Sequence, residues 1–443
     1  MSEARSSGSL RLVAIGIATA FALAAFAVRN VADARVRGGL GIVCFIAIVA
    51  ACSSNLRAVN WRTVFWGVVL QFGFALLILK FHIGAWRPGY AFFSHVAAMV
   101  TQFLQFTNTG AQFVFGGLAD QAVMSKLFPG GFVFAFVGLP TIIFVSSFFT
   151  VLYYLGVLQL VVRIMARAMM FLMQTSGAET LSAAANVFMG QTEAPIIVKP
   201  YVPRMTQSEL LALMVGGLAT ISGGVMAVYI ALGADPVAIL TTSVMAAPCG
   251  LYLSKIMLPE TEEPETRGQV RTAVEKTHVN IVDAAAAGAS EGTMLALNVA
   301  AMLIAFLAML AMIDFMLARV HPGLSLALMF SKVFAPAAML MGVPMKDVPA
   351  VADLLGTKLT ANEFVAYVKL TTQYKGAISP KAYSLSTYAL TGFANFGSIG
   401  ILLGGVGGMA PTRRGDLARL GGRALLAGFL ATMINAAIAS MFL

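Results

Sequence analysis

The run Asn186-Val187-Phe188-Met189-Gly190-Gln191-Thr192-Glu193-Ala194-Pro195 sets an amide, a hydroxyl and a carboxylate between glycine and proline, in a chain that is otherwise mostly apolar. A carboxylate at membrane depth costs roughly 2.5–3.5 kcal/mol on insertion scales, and it is tolerated where it faces water, a ligand or a partner charge. Gly190 and Pro195 interrupt a helix and free backbone carbonyls and amides for ions or substrates. The segment therefore predicts a binding site built on a broken helix. Further polar residues recur at Asn362-Glu363, and in two Gly- and Ser-containing stretches, Ala219-Thr220-Ile221-Ser222-Gly223-Gly224-Val225 and Thr391-Gly392-Phe393-Ala394-Asn395-Phe396-Gly397-Ser398.

Together these residues suit a neutral ligand rich in hydroxyls and amides. Gln191 offers a donor and an acceptor, Thr192 a hydroxyl, and Glu193, Glu363, Asn395 and Ser398 can bond a sugar diol or a base edge. Phe393 offers a flat face for an aromatic ring. Asn186 and Thr220, beside unwound carbonyls, supply hard oxygen donors of the kind a small cation needs. Plain inter-helix hydrogen bonding, worth up to about 1–2 kcal/mol, is the other reading of that pair.

Catalytic chemistry finds little support. There is no G-x-S-x-G elbow, and the glycines at 404–408 lack the Lys-Ser/Thr that completes a Walker A loop. His82, His95, His278 and His321 are scattered, and Cys44, Cys52 and Cys249 have no metal-ligand spacing. Glu193 and Glu363 as an acid pair in an intramembrane enzyme is a distant alternative, without the other elements such a site needs.

The elements that must position these residues are membrane spans. Of 443 residues, 59% are hydrophobic and only 11% charged, and mean hydropathy is +0.85. Soluble domains carry about 25% charged residues, so the chain is an all-α polytopic membrane protein. A net charge of +10 would suggest nucleic acid in a soluble protein, but here the basic residues sit in short loops, a positive-inside pattern. Apolar spans are expected near 10–28, 38–54, 63–81, 134–162, 208–233, 236–257, 293–318, 382–407 and 422–442. The first has a second reading as a signal peptide, with Val31-Ala32-Asp33-Ala34 as a cleavage-like site, although its apolar run is long for one. The basic loops after the second and fourth spans, at 255–276 and at 413–423 can all be cytoplasmic if 176–204 and 350–379 do not cross. That arrangement leaves Arg29, Arg35 and Arg37, and the C-terminus, outside.

Each of those two segments carries acids and Gly or Pro, and a span with a Gly-, Ser- and Thr-rich middle follows each. Such paired interruptions in matching halves point to an inverted-repeat transporter. The stretch 91–120, mixing Phe with Gln, Thr and Asn, is expected along the interface or between subunits.

At these residues the chain resembles the concentrative nucleoside transporter family. The motifs are Gly190-Gln191-Thr192-Glu193-Ala194-Pro195, Asn362-Glu363-Phe364-Val365-Ala366-Tyr367, and Tyr388 through Gly400. The likeness covers roughly 38–443; Thr391 stands where Cys is common, and 1–37 is additional to the shortest bacterial members. The resemblance implies eight core transmembrane helices plus an extra N-terminal one, two re-entrant helical hairpins in inverted repeats, and a homotrimer in a bacterial inner membrane. It implies the divisions 1–37 (extra helix), 38–165 (mainly scaffold, with an interfacial helix), 166–257 (first transport repeat, hairpin near 176–204), 258–320 (loop and scaffold helix) and 321–443 (second transport repeat, hairpin near 350–379). It also implies that Gln191, Thr192, Glu193 and Val225 contact a nucleobase, that Phe393 packs on it, and that Glu363, Asn395 and Ser398 hold ribose. Sodium, the expected coupling ion, would be bound by Asn186, Thr220 and backbone carbonyls near Met189, Thr220 and Ile221, with no organic cofactor. The expected activity is secondary active nucleoside import by an elevator-type motion. A proton-coupled nucleoside symporter is the nearest alternative, and a carrier of free nucleobases or other polar metabolites the next.

Overall fold

The computed structural model describes residues 2–29, 33–84, 86–120, 123, 124, 126, 133–268 and 278–443. Among them the regular elements are helices, apart from one isolated antiparallel bridge between Ile83 and Trp86. The main helices are α1 (Ser2–Ala27), α2 (Ala34–Ala51), α3 (Trp61–Ala75), α4 (Pro88–Phe115), α5 (Phe134–Tyr154), α6 (Val157–Met173), α7 (Gly177–Ala185), α8 (Gln207–Ala219) and α9 (Gly223–Ala231). They continue with α10 (Pro236–Met257), α11 (Ile281–Val320), α12 (Leu326–Val333), α13 (Ala335–Leu340), α14 (Val348–Thr360), α15 (Glu363–Thr372), α16 (Pro380–Leu390), α17 (Phe396–Met409) and α18 (Arg414–Phe442). Eight helical stretches among the described residues are long and apolar enough to cross a membrane, with α17 a shorter apolar helix beside them.

Two expected spans differ in detail. The apolar run at 134–162 is two helices, because Gly156 takes a left-handed φ of 80° and turns the chain between α5 and α6. The span expected from 293 begins at Ile281, so Glu291 lies inside helix α11. The cleavage-like residues Val31 and Ala32, with Arg271 and Lys276 of the basic loop, lie outside the described residues. Helix α1 packs along α2, where Cys44 Sγ donates to Ala18 O, and Arg11 reaches Ser54 O.

The helices sort by burial. Those at 207–231, 236–257 and 411–442 are enclosed by the rest of the chain, while α1 and α11 lie almost wholly outside. Helix α11 approaches α5 closely because Gly288 and Gly292 face it; a methyl on either would collide with Ser146, Ser147, Thr150 or the backbone of Ile143. Two small residues one turn apart are the usual means of bringing membrane helices together.

Helices α14 and α15 fold back on each other: Lys369 reaches Asp353 and Thr357, and Tyr374 also reaches Asp353. The turn between them is short because Asn362 caps α15, its side chain accepting from Val365 N. Helix α14, with 13 residues, spans roughly 20 Å at 1.5 Å per residue, short of the ~30 Å hydrocarbon core. The earlier segment is built alike. Helix α7 opens on a capping box (Ser176 and Glu179), ends at Asn186, and returns through short turns at Ala194–Val198 and Val202–Arg204.

Candidate functional site

Two of the buried helical lines are broken, and the breaks cross. The first line stops at Thr220 and restarts at Ser222, which caps α9 by accepting from Val225 N. The second stops at Thr391 and restarts at Asn395, which caps α17 by accepting from Ser398 N. Phe393 N donates to Thr220 O at 3.1 Å, so each break meets a backbone group freed by the other. Gly392 makes this approach possible. Its φ is +152°, and an added Cβ would lie 3.0 Å from the carbonyls of Leu218 and Ala219 and 2.7 Å from Thr432. Only glycine meets both demands.

The turn after α14 carries Glu363 to this crossing. Its carboxylate stands at the first position of α15, where the helix dipole favours negative charge. Tyr229 OH donates to one oxygen at 3.2 Å, and Asn395 Nδ2 donates to the other at 2.8 Å. Asn395 uses its remaining oxygen on Ser398 N. A carboxylate offers about four lone-pair directions, so Glu363 retains acceptor capacity for ligand hydroxyls. Tyr229 is itself fixed by stacking on Tyr367, with ring centroids 4.0 Å apart, and Tyr367 OH lies 2.7 Å from Thr391 Oγ1. Phe393 is half-buried and packs against an apolar cluster that includes Ile221, Val225, Tyr229 and Phe364.

The tip after α7 reaches the same crossing from another side. Gly223 N donates to Phe188 O at 2.9 Å, tying the tip to the start of α9. Gln191 packs on Gly217 of α8, and Thr192 on Gly405 of α17. Glu193 accepts from Gly190 N at 2.9 Å and faces a cavity of about 660 Å³ whose wall also includes Met189, Ser222, Gly224, Phe149 and Glu291. Ligand pockets are commonly about 300–1,000 Å³, but of the residues expected at a ligand or ion only Met189 and Glu193 line this space.

A cation fits beside the first break. Asn186 is fully buried; its Nδ2 donates to Ser182 O, yet its Oδ1 has no donor. The Oε1 of buried Gln191 is also without one. Thr220 Oγ1 gives its proton to Gly216 O, leaving lone pairs on the hydroxyl oxygen. Among the described residues, the carbonyls of Met189 and Ile221 accept no backbone hydrogen bond outside the helices. Buried oxygen acceptors without donors are costly in a protein interior, and a small hard cation satisfies them.

The structure thus gathers Val225, Glu363, Phe393, Asn395 and Ser398 at one side of the crossing. Gln191, Thr192 and Glu193 lie at the other, with Asn186, Met189, Thr220 and Ile221 around the first break. Among the described residues no hydrogen bond joins Gln191, Thr192 or Glu193 to Glu363. Two residues at the site escaped the sequence reading. Tyr229 lies one helical turn beyond Val225 in a wholly apolar half-helix, with no local signal beyond its hydroxyl. Glu291 does carry a signal, a lone acid beside a long apolar run, but it lies two residues before the span expected from 293.

Residues 40–118, 135–236 and 238–440 match, respectively, the Na+ dependent nucleoside transporter N-terminus, nucleoside recognition (Gate), and Na+ dependent nucleoside transporter C-terminus families. An uncharacterized transporter of Haemophilus influenzae is 44% identical over 414 residues, covering 91% of this chain and 97% of that one. Sodium/nucleoside cotransporter 1 of Mus musculus is 43% identical over 424 residues, covering 90% of this chain but only 63% of its own length. The solved structure of CNTnw in an inward-facing substrate-bound state superposes with a TM-score of 0.88 at 39% identity, covering 92% of this chain and 98% of that one. An outward-facing CNTnw variant gives 0.88 at 38% identity, with the same coverage of both chains. This chain is a multi-pass membrane transporter, not an enzyme, and it belongs to the Na+ dependent nucleoside transporter family.

Proposed function

We propose that the protein is a sodium-coupled nucleoside importer of a bacterial inner membrane. The observation that carries this reading is the pair of crossed helix breaks, with Glu363 and Asn395 pre-bonded on one side and the donorless Asn186 Oδ1 on the other. Glu363, Asn395 and Ser398 take the ribose hydroxyls, Gln191, Thr192, Glu193 and Val225 the base, and Phe393 packs on it. Sodium takes Asn186, Thr220 and the carbonyls at Met189, Thr220 and Ile221.

Coupling follows from chain connectivity. Asn186 ends α7, and five residues later the tip presents Gln191. A cation drawing Asn186 and Thr220 together therefore holds the tip against the first break and fixes the residues that meet the base. By linkage each ligand strengthens the other's binding by the same factor.

The two folded-back segments are read as re-entrant hairpins of inverted repeats, because neither helix of the second pair is long enough to cross. They belong to a transport body formed by 166–257 and 321–443, which moves as an elevator past a scaffold formed mainly by 38–165 and 258–320. The exposed apolar faces of α4 and α11 (Phe106, Phe113, Ile304 and Phe315 among them) suit contacts with lipid and with two further copies in a homotrimer.

Radiolabelled uridine uptake into proteoliposomes tests the reading. Accumulation is expected with an inward sodium gradient and not with a proton gradient alone. Accumulation with protons alone would keep the nucleoside site and assign Asn186 and Thr220 to inter-helix bonding. Competition by free uracil as strong as by uridine would move the substrate to nucleobases.

A further inference from the structure

The two halves end their first hairpin helices with side chains of different kind. Helix α7 ends at Asn186, whose amide packs against Gly216, four residues before the break at Thr220. Helix α14 carries Lys358 in its last turn, and Lys358 Nζ donates to Ala389 O at 2.8 Å, two residues before the break at Thr391. The breaks correspond closely. Thr220 Oγ1 donates to Gly216 O and Thr391 Oγ1 to Thr387 O, each four residues back, and each break restarts on a capped half-helix.

Lys358 is fully buried, and its surroundings are those of a cation site. Its second acceptor is Thr432 Oγ1 at 2.9 Å. Thr432 spends its own proton on Phe429 O, so the hydroxyl can only accept from the ammonium. The Phe429 ring centroid lies 5.4 Å from Nζ, within cation–π range, and the C-terminal end of α14 adds its negative dipole. The other deeply placed lysines are held differently: Lys255 sits on Glu179 at 2.6 Å and Lys369 on Asp353 at 2.5 Å. Among the described residues Lys358 has no such carboxylate within 4 Å. A strut between helices needs only a hydroxyl or an amide. A buried ammonium held by a carbonyl, a hydroxyl and a ring is what a bound cation would look like if it were attached to the chain.

We propose that Lys358 is a tethered cation. Its ammonium does for the second half what sodium does for the first, clamping the hairpin helix to the broken helix beside it. That hairpin carries Glu363, so the ribose side is permanently set while the base side waits for the ion. The second half then takes no ion, and one sodium accompanies each nucleoside. This rests on the sodium reading of the Asn186–Thr220 site.

The test is the ratio of radiolabelled sodium to uridine flux in the same proteoliposomes at zero membrane potential. The parent should carry one sodium per uridine. Lys358→Asn, which installs the first half's donor in the second, should carry two. A parent ratio of two overturns the proposal while leaving the first site standing, whereas no sodium flux in the parent fails the first-site reading itself. A ratio of one in Lys358→Asn also overturns it. Should that variant bind without transporting, the sodium dependence of its unfolding temperature decides: a doubled slope against log sodium is expected, and the parent's slope overturns the proposal. A variant that does not fold leaves the parent ratio as the deciding measurement.

Discussion

The role proposed for Glu363 rests on its position as much as on its charge. The capped start of α15 and the donors Tyr229 and Asn395 stabilise its carboxylate where an isolated acid would be expelled from the membrane. Hydrogen bonds to an ionised acceptor are about twice as strong as neutral ones. Glu363→Gln removes that advantage and offers an NH₂ group toward one of the two donors that now bond the carboxylate. Uridine affinity should fall by about tenfold, corresponding to the roughly 1.4 kcal/mol separating charged from neutral bonds. Measured in uptake as KM, an unchanged value would take Glu363 out of the ribose site.

At the scale of elements, the site depends on two helices that stop in the middle of a buried bundle and cross at their gaps. Gly392 is the residue that admits the crossing, since both its φ and the neighbouring carbonyls of Leu218 and Ala219 exclude a side chain. Gly392→Ala must either open the crossing or strain the backbone, and either result displaces Phe393 N from Thr220 O. A loss of several kcal/mol is expected, combining backbone strain of about 1–3 kcal/mol with the broken contact. The unfolding temperature in detergent should drop sharply and uptake should disappear. Gly376 supplies the comparison: it too has positive φ (78°), but an added Cβ meets nothing within 4 Å. Gly376→Ala should cost only the strain. Equal losses in the two variants would mean that the crossing contributes no more than an ordinary turn.

For the whole molecule, the proposed ion links two bodies of structure that are far apart in sequence, the tip at 186–193 and the break at 220–222. A ligand that binds only the folded state stabilises it by RT ln(1 + [L]/Kd), about 1.4 kcal/mol for each tenfold rise in sodium above Kd. The unfolding temperature should therefore climb with sodium and not with equimolar choline. Thr220→Val keeps the side-chain volume but removes the hydroxyl, and should move the climb to higher sodium concentration along with half-maximal uptake. A sodium response identical to the parent's would exclude the Thr220 hydroxyl as a ligand.

The sequence alone determined the membrane class, the helical content and the places where helices must break. Those properties follow from local chemistry: runs of apolar residues long enough to span, and Gly, Pro, Ser, Thr and Asn where a helix cannot continue or must be capped. It also marked most of the polar residues now found around the crossing, because an acid or amide in an apolar stretch is conspicuous without a fold, but Tyr229 and Glu291 escaped it. It misjudged the extent of two spans. A glycine turn at Gly156 lies inside an unbroken apolar run, and the run beginning at Ile281 is diluted by alanines and by two acids, Asp283 and Glu291. Only the tertiary structure decided which marked residues meet. That Tyr229 donates to Glu363, that Phe393 N reaches Thr220 O, and that Lys358 lies against Ala389 and Thr432 are facts about segments 31 to 173 residues apart. Helix packing sets such distances, and no local spacing encodes them. The physical reason is that a break frees backbone groups in every direction, and only the neighbouring helix determines which are answered by protein and which are left for a ligand.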